Sequence, residues 1–397
     1  MQKIAVITAG VFPVPPVEGG AVENLLYTFI KSNEITNDYK LTVYSLNSSK
    51  LSIQKEQFKN VQFVFVNRDE IVYKIGRGIR FLLNKLRPTM VGNQFIYEVL
   101  RKQKNFNSFD SVLIENQPSF AKFIRKITNK PIILHLHNDS LYAGIKNAEK
   151  VLSNVDLVLA VSNYVKKRVE TVSCSTCRVD TVYNGININR FTNTFSESTR
   201  EKYRNHWGFT PEDKVIIYAG RLQAHKGVKL LIESFLKLNA NSNAKLLIVG
   251  GSEFGNSKKS KFIKEIQKIS IVHKSNIRFT GYVDYSEIHK LFSIADFAVL
   301  PSLCEEAFPL TALEALASGL PVILTDSGGM PEAVNDKCGI VVKRGVNAEE
   351  NLIKAMNNLL ENPKLLSNMA VEARKRAETF DEKIYSKNLS MQIKTVL

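Results

Sequence analysis

Two glutamates in the stretch PSLCEEAFPLTALEALASGLPVI, from Pro301 to Ile323, have a spacing and a setting that suggest chemistry. Seven residues separate Glu306 from Glu314, and Glu314 falls in a run whose apolar residues recur at helical spacing. Gly319 and Pro321 then end that run. Because a buried and unpaired carboxylate destabilises a fold, Glu314 needs a compensating role. The pattern therefore predicts a buried helix that retains Glu314 for ligand binding.

Other residues with chemical potential follow apolar runs that are typical of strands. Gly19 and Gly20 follow the first run, in VEGGA, and His137 follows PIILHL. Arg221 and Lys226 follow KVIIYA, in GRLQAHKG. In open α/β sheets, ligands bind outside the carboxyl ends of the strands. We therefore expect these residues and the two glutamates to face one cleft.

Together these residues predict a site for a nucleoside diphosphate. Arg221 and Lys226 would neutralise two phosphates, and the amides of Leu310 and Thr311 at a helix start would add partial positive charge. A magnesium ion would be redundant there, and we expect no cofactor. The Glu314 carboxylate would accept hydrogen bonds from the two adjacent hydroxyls of a ribose. The sequence has neither a Walker pattern nor a clean dinucleotide fingerprint, which disfavours an ATPase or a dehydrogenase.

Each of these features has a plainer explanation when it stands alone. Gly19 and Gly20 can form an ordinary turn, Arg221 and Lys226 can be solvated, and His137 can be structural. Only their joint occurrence at strand ends favours a binding site.

The elements that must position these residues form a regular series. Apolar, β-branched runs alternate with helical patterns, and the runs are KIAVITAG, LTVYSL, VQFVFV, SVLIEN, PIILHLH, LVLAVS, KVIIYAG, AKLLIVGG, IRFTG, DFAVLPS and LPVILTD. Continuous apolar strands separated by helices are typical of parallel sheets covered on both faces. The sequence predicts an α/β protein with two doubly wound, Rossmann-like domains that face each other across a cleft.

The division between these domains is predicted from a change in composition. VYNGININRF is followed by the polar stretch TNTFSESTREKYRNHWGF, through which no buried strand can run. We predict a first domain over residues 1–190 and a second over residues 191–379. Residues 380–397 are predicted to form a helix that returns to the first domain.

Length and composition set further bounds. The chain has 397 residues, enough for two domains, and four cysteines, which favour a reducing compartment. Its amino terminus lacks the pattern of a secretory signal, and no run approaches the length of a membrane span. We expect a cytoplasmic protein. Cys174 and Cys177 lack the partners of a zinc or thioredoxin-like site and are interpreted as incidental.

Positive charge is concentrated in the first half of the chain. Residues 1–190 contain 26 Lys and Arg against 15 Asp and Glu, whereas the remainder contains 28 against 23. A concentrated part is IVYKIGRGIRFLLNKLR, residues 71–87, in which basic residues flank apolar ones at helical spacing. This pattern suits an anionic membrane surface or another anionic partner, but equally an ordinary helix whose apolar stripe faces its own core. The sequence has no recognisable nucleic-acid-binding module, and we expect no nucleic-acid partner.

Four segments carry a resemblance to a known family. GRLQAHKG, PSLCEEAFPLTALEALASGLPVI, TDSGGMPEAV and VYNGININRF resemble the retaining glycosyltransferases of family 4, which have the two-domain GT-B fold. The resemblance covers nearly the whole chain. IENQP, at residues 114–118, is similar to the branch that includes spore-coat-associated and polysaccharide-assembly transferases.

The resemblance implies a role for each candidate residue. Arg221 and Lys226 would hold the diphosphate, Glu314 the ribose, and Glu306 the hydroxyls of the donor sugar, with His137 beside that sugar. The predicted catalytic residues are Glu306, His137, Arg221 and Lys226.

The backbone around residues 282 and 283 would contact the base. Gly19 and Gly20 would close over the phosphates or the acceptor. The predicted donor-binding residues are Gly19, Gly20, Arg221, Lys226, Tyr282, Val283, Glu306, Phe308, Leu310, Thr311 and Glu314.

Two positions depart from the family pattern. Members often have Phe-Gly-Leu where this chain has Phe308-Pro309-Leu310. Because proline has no backbone N–H group, the hydrogen-bond donor that the glycine would supply is absent. The frequent Asp of NG-x-D is Asn187. Neither change touches the predicted diphosphate site.

The resemblance implies retaining transfer of a sugar from a nucleotide-diphosphate sugar, with uridine as the expected nucleoside, to a hydroxyl of a glycan or lipid-linked glycan. A sugar-nucleotide epimerase or glycosidic phosphorylase activity is less favoured than glycosyl transfer. A non-catalytic coat or scaffold protein that binds sugar or membrane is the alternative from another class.

Overall fold

The computed structural model describes residues 1–51, 58–86, 93–173, 177–192, 195–238, 243–251, 260–270 and 276–397. These residues form two compact units. The first unit comprises Met1–Gly185 together with Glu382–Leu397, and the second comprises Ile186–Asp381.

The first unit is built on a seven-stranded sheet in which all the described strand pairs are parallel. Its strands are β1 (Gln2–Ile7), β2 (Tyr39–Leu46), β3 (Val61–Val66), β4 (Ser111–Glu115), β5 (Ile132–Leu136), β6 (Leu157–Ala160) and β7 (Arg178–Thr181). Its helices before the second unit are α1 (Ala21–Thr36), α2 (Ile71–Leu86), α3 (Gln94–Lys102), α4 (Ala121–Arg125), α5 (Ala148–Leu152) and α6 (Asn163–Glu170). The sheet order β3-β2-β1-β4-β5-β6-β7 reverses direction between β1 and β4. This switch point is where doubly wound folds bind their ligands.

The second unit repeats the same design with six parallel strands in the order β10-β9-β8-β11-β12-β13. Its strands are β8 (Lys214–Ala219), β9 (Ala244–Val249), β10 (Ile277–Gly281), β11 (Phe297–Leu300), β12 (Val322–Thr325) and β13 (Gly339–Val342). Its helices are α7 (Ile188–Thr192), α8 (Glu197–His206), α9 (Val228–Leu236), α10 (Lys261–Ser270), α11 (Ile288–Ser293), α12 (Leu310–Ala317), α13 (Ala348–Glu361) and α14 (Pro363–Glu378). The switch point lies between β8 and β11.

Each predicted apolar run contains a strand, and the strands next to the switch points are buried throughout most of their length. Two strands were not predicted. β7 has the sequence RVDT and β13 the sequence GIVV, and each lies at the edge of its sheet. β7 is partly solvated and lacks the continuous apolar pattern that identifies a central strand, whereas β13 is a four-residue apolar run that the sequence analysis overlooked.

The boundary between the units differs slightly from the predicted one and falls after Gly185. Ile186 forms a bridge with Asp381, and the Phe191 ring packs edge-to-face against Phe292. These contacts hold residues 186–191 to the second unit.

The C-terminal helix α15 (Glu382–Lys394) belongs to the first unit. The hydroxyl of Tyr39 donates to the backbone oxygen of Ser390 at 2.9 Å, and Lys394 forms an ion pair with Asp38 at 2.7 Å. Helix α15 therefore packs beside the start of β2.

Helix α2 presents its apolar stripe to solvent. Tyr73 is buried, and Arg80 lies over the ring of Tyr97 and donates to Gln94 at 2.8 Å, so this side of the helix contacts its own unit. Other large apolar side chains of α2 are between 43 % and 74 % exposed, namely Ile71, Ile75, Ile79, Phe81, Leu82 and Leu83. The interpretation that this stripe faces its own core is therefore wrong for these side chains.

Some residues singled out in the sequence lie outside the described part of the chain. They are Cys174, Arg87 and the side chains of Val72, Lys85 and Leu86. Cys177 is a free cysteine. Among the described residues, no helix is both long and apolar enough to cross a membrane.

Candidate functional site

The second unit brings Lys226 and Glu306 together at the carboxyl ends of β8 and β11. Lys226 Nζ lies 2.5 Å from Glu306 Oε1, and Ser302 Oγ donates to the same oxygen at 2.6 Å. No described residue makes a hydrogen bond to Glu306 Oε2. The pair is mostly shielded from water, with side-chain exposures of 18 % and 16 %. The prediction that both residues occupy one region agrees with this geometry, but their direct pairing was not foreseen.

Gly227 explains how the two loops approach so closely. Its φ of +72° is in the left-handed region, and an added Cβ would lie 1.8 Å from the backbone oxygen of Pro301. The amide of Leu303 also donates to His225 O at 2.8 Å. Only glycine fits here, so the loop after β8 can hold Lys226 against the loop after β11.

Arg221 lies two residues after the end of β8 and is exposed. Its backbone oxygen accepts a hydrogen bond of 3.0 Å from the hydroxyl of buried Tyr218. None of the ion pairs within the described ranges involves its guanidinium group. Arg221 therefore has a positioned backbone and a charge available for an anion.

Glu314 lies inside helix α12 and is buried, as predicted. Burial raises the pKa of its carboxyl group to about 7, although a hydrogen bond with Tyr285 and the charge of Arg190 act in the opposite direction. The guanidinium group of Arg190 lies 4.7 Å from the centre of the Tyr285 ring. Sequence reasoning missed both partners because each lies on a distant segment. Nothing in the sequence around Arg190 or Tyr285 indicates that either residue contacts Glu314.

The other predicted donor-site residues occupy different environments. Leu310 and Thr311 are the first residues of α12, and no side chain caps this helix start. Phe308 is buried, and the centre of its ring lies 5.4 Å from the centre of the Phe380 ring. Its side chain therefore has a packing role. Tyr282 is exposed just after β10, and Val283 is partly buried.

In the first unit, Gly19 and Gly20 precede α1 with φ values of +86° and +103°. A Cβ at Gly20 would lie 2.1 Å from Glu23 Oε2, whereas a Cβ at Gly19 would meet nothing within 4 Å. Buried Glu23 accepts a hydrogen bond from the Phe12 backbone, and burial raises the pKa of its carboxyl group to about 7. Glu23 was not predicted, although its place in the first turn of α1 after two glycines was a usable signal.

His137 follows β5 and contacts a glutamate that sequence reasoning also missed. Its Nε2 lies 2.9 Å from Glu115 Oε2, and the same oxygen lies 3.2 Å from Nδ1 of His135. Burial and the neighbouring His135 together lower the pKa of His137 to about 4, although Glu115 and a hydrogen bond with Asn184 act in the opposite direction. Burial raises the pKa of Glu115, but the two histidines outweigh this effect and hold it below its ordinary value.

Glu115, His135 and His137 also form the one group, within the ranges that the structure describes, whose ligand atoms could hold a metal ion. These atoms all lie within 4.8 Å of one another. A carboxylate with two imidazoles is a ligand set used by zinc. In this structure the carboxylate contacts one nitrogen of each ring at hydrogen-bonding distances, and the other nitrogen of each ring is also buried.

The sequence matches two protein families, one in each unit. Residues 36–190 match the family described as Glycosyltransferase Family 4, and residues 199–376 match the family described as Glycosyl transferases group 1. Both matched families are glycosyltransferase families. The resemblance inferred from the four sequence segments is thereby confirmed.

Two relatives of this glycosyltransferase are similar over almost its whole length. The putative glycosyltransferase YtcC of Bacillus subtilis (strain 168) is 26 % identical over 387 residues, which cover 95 % of this chain and 88 % of the relative. Spore coat protein SA of the same organism is 24 % identical over 389 residues, covering 95 % of each.

A solved structure of Anabaena HepE, in complex with UDP and glucose, is similar to this glycosyltransferase. The two are 18 % identical, the similarity covers 100 % of each chain, and the TM-score is 0.74. This similarity confirms the predicted GT-B fold of two parallel-sheet domains.

Proposed function

We propose that this glycosyltransferase transfers a sugar from a uridine-diphosphate sugar to a hydroxyl of a glycan or lipid-linked glycan, with retention of configuration and without a metal ion. The second unit binds the nucleotide sugar, and the first binds the acceptor. Support for the donor comes from HepE, whose structure holds UDP and glucose. The acceptor follows from the resemblance of IENQP to the polysaccharide-assembly branch.

The observation that carries this proposal is the pairing of Lys226 with Glu306, which lies four residues before helix α12 and its buried Glu314. Lys226 and exposed Arg221 are cations suited to a diphosphate, and the uncapped start of α12 adds backbone amides. Glu314 suits the ribose hydroxyls, because an ionised carboxylate accepts two hydrogen bonds. Glu306 Oε2 remains for a hydroxyl of the sugar. Residues 221–226 and 306–314 therefore supply groups for the diphosphate, the ribose and the sugar of the donor.

In the proposed reaction, the bond between the sugar and the diphosphate breaks as the acceptor hydroxyl attacks from the same face. The departing diphosphate takes the proton of that hydroxyl. Arg221, Lys226 and the amides of α12 stabilise the negative charge that grows on the diphosphate, while Glu306 favours positive charge on the sugar. Each such group contributes about 3 kcal/mol to lowering the barrier.

A thermal-shift panel of UDP-, GDP- and ADP-sugars tests the donor site. A ligand at a hundred times its Kd stabilises a protein by about 2.7 kcal/mol, so the matching nucleotide sugar should raise Tm by roughly 5 °C or more. Glu314→Ala should weaken this ligand at least about tenfold, because hydrogen bonds to a charged group are lost. Glu350→Ala, which removes an exposed carboxylate of α13, is the matched control. A panel with no response would contradict the proposal.

A non-catalytic coat or scaffold protein is the second candidate, and the similarity to spore coat protein SA favours it. The two candidates differ in turnover. A transferase should release UDP slowly from its donor even when water replaces the acceptor, and Glu306→Gln should slow that release. Binding of a UDP-sugar without release of UDP would favour the scaffold.

We further propose that helix α2 holds the protein on an anionic membrane surface. Its exposed apolar stripe suits the boundary between lipid headgroups and acyl chains. Lys74 and Arg77 are exposed on the same helix and suit anionic headgroups. Lipid-linked acceptors would then be within reach of the enzyme.

A further inference from the structure

The segment TDSGG, which begins at the last residue of β12, holds the loop that carries Glu306. The hydroxyl groups of Thr325 and Ser327 both donate to the backbone oxygen of Ser302, at 2.7 Å and 2.6 Å. All three residues are buried. A carbonyl oxygen has two lone pairs, and these two hydrogen bonds occupy both of them. The backbone at Ser302 is therefore fixed from the carboxyl end of β12.

The other end of this loop is fixed by the same segment. The amide of Gly329 donates to the backbone oxygen of Glu306 at 2.7 Å. Between the two ends, Arg344 donates to Leu303 O at 3.2 Å and forms an ion pair with Glu305 at 2.7 Å. The loop is thus attached at both ends and in between, and the side chain of Glu306 starts from a fixed backbone.

The hydroxyl group of Ser302 has one proton and three acceptors within reach. Glu306 Oε1 lies 2.6 Å from Ser302 Oγ, whereas His225 O and Cys304 Sγ both lie 3.5 Å away. Hydrogen bonds to a carboxylate are shorter and stronger than those between neutral groups. Ser302 therefore donates its proton to Glu306.

The two close partners of Glu306 Oε1 differ in their freedom to move. Lys226 has a long, flexible side chain, and its charge can be drawn to an anionic ligand. Ser302 has a short side chain on a buried and fixed backbone, so it cannot follow such a ligand. One partner of the carboxylate therefore remains when the other is taken.

We propose that Ser302 is a positioning residue that keeps Glu306 in place when a diphosphate draws Lys226 away, so that Glu306 Oε2 stays available to a hydroxyl of the donor sugar. This inference rests on the proposed function. Ser302 makes no contact with substrate in this proposal and acts through the carboxylate of Glu306. Thr325 and Ser327 support it by fixing the Ser302 backbone.

Removal of the lysine tests this positioning without a substrate. Lys226→Met replaces the cation by an apolar chain of similar length, which leaves Ser302 as the close partner of Glu306 Oε1 among the residues described. A crystal structure of this variant should show Glu306 Oε1 still within hydrogen-bonding distance of Ser302 Oγ. In Lys226→Met combined with Ser302→Ala, the carboxylate should move to another rotamer or lose its electron density.

Kinetics of Ser302→Ala supply an independent measurement. The kcat should fall about tenfold or more, because a hydrogen bond to a charged group is lost. The KM for the donor sugar and the affinity for free UDP should change less than about twofold, since the lost interaction acts in the transition state. Ser270→Ala is the matched control, because it removes another buried hydroxyl of the second unit, one that donates within α10 at 2.8 Å. It should leave kcat unchanged.

The effect of Ser302→Ala should also depend on the glutamate. In a Glu306→Ala background, the same substitution should change kcat less than about twofold, because residues that act as a unit are not additive. Ser327→Ala removes one of the two hydrogen bonds to Ser302 O. It should lower kcat to a smaller extent, and again only while Glu306 is present.

Three results would overturn the inference. They are a Glu306 side chain turned away from Ser302 in Lys226→Met, a rise in KM that accounts for the lost kcat/KM of Ser302→Ala, and additive effects of Ser302→Ala and Glu306→Ala. If Lys226→Met does not fold, the split between kcat and KM decides. If the protein turns over no nucleotide sugar but Glu306 remains on Ser302 in Lys226→Met, the proposed function fails and the positioning by Ser302 stands.

Discussion

Lys226 Nζ and Glu306 Oε1 lie 2.5 Å apart, so the cation expected at a diphosphate and the carboxylate expected at a sugar neutralise each other in this structure. Ser302 donates to the same carboxylate oxygen and helps to hold it. The ion pair therefore has no net charge. An anionic ligand must therefore compete with Glu306 for Lys226, or bind while the pair persists.

This pairing gives the first prediction. Glu306→Gln removes the charge that competes for Lys226, so the affinity for free UDP should stay equal or increase. The same change should lower kcat about a hundredfold, because Glu306 acts where positive charge develops on the sugar. Calorimetry with UDP and initial rates with the donor sugar measure the two effects. Weaker UDP binding in Glu306→Gln, comparable with that in Glu314→Ala, would mean that both glutamates hold the nucleotide.

The second prediction concerns stability and pH. Burial raises the pKa of Glu314 from 4.5 to about 7, so the folded state keeps a proton that the unfolded state has lost between these values. The free energy of unfolding therefore falls as pH rises through this window, and the full cost of the ionised carboxylate is present above pH 7. Glu314→Gln removes a cost of up to about 3 kcal/mol.

Thermal unfolding at pH 5 and pH 8 measures this effect. Relative to the unmodified protein, Glu314→Gln should raise Tm more at pH 8 than at pH 5. Glu350→Gln, at an exposed position of α13, is the control and should show no such difference. An equal change in Tm at both pH values would argue against a raised pKa of Glu314.

The third prediction concerns the exposed face of α2. The protein should sediment with anionic vesicles at low salt and be released at high salt, because salt screens the attraction. Lys74→Glu combined with Arg77→Glu should weaken binding by at least about tenfold, since each basic residue contributes about 1 kcal/mol. Ile75→Ser should weaken it several-fold by removing apolar contact.

The same unit offers a matched control for Ile75→Ser. Ile35 in α1 is 82 % exposed, and Ile35→Ser should leave vesicle binding unchanged. Equal sedimentation with neutral and anionic vesicles would contradict an electrostatic attachment. Formation of dimers through α2, with no binding to vesicles, would indicate that a second copy of the chain covers this face.

The fourth prediction concerns metal ions. Because Arg221, Lys226 and the start of α12 supply positive charge for the diphosphate, transfer should continue in excess EDTA at nearly its full rate. Adding Mg²⁺ or Mn²⁺ should change the rate less than about twofold. A strict requirement for a divalent ion would mean that the phosphate site is assigned wrongly.

Local patterns in the sequence predicted those parts of the fold that depend on neighbouring residues. Continuous apolar runs identified the central strands, and the period of the residues around Glu314 identified a buried helix, because burial selects residue types at the period of each element. The edge strand β7 was not predicted because partial exposure removes that selection, and β13 was overlooked although its four residues are apolar. The segments resembling family 4 identified the family from the order of residues alone.

Tertiary structure decided which distant residues meet. The pairing of Lys226 with Glu306, of Glu115 with His137, and of Tyr285 with Glu314 joins segments that are far apart in sequence, so no local period records it. The sequence also left open whether the apolar stripe of α2 faces its own core or a membrane surface. An amphipathic pattern states that one face of a helix is apolar, but only the packing of the whole unit determines what that face meets.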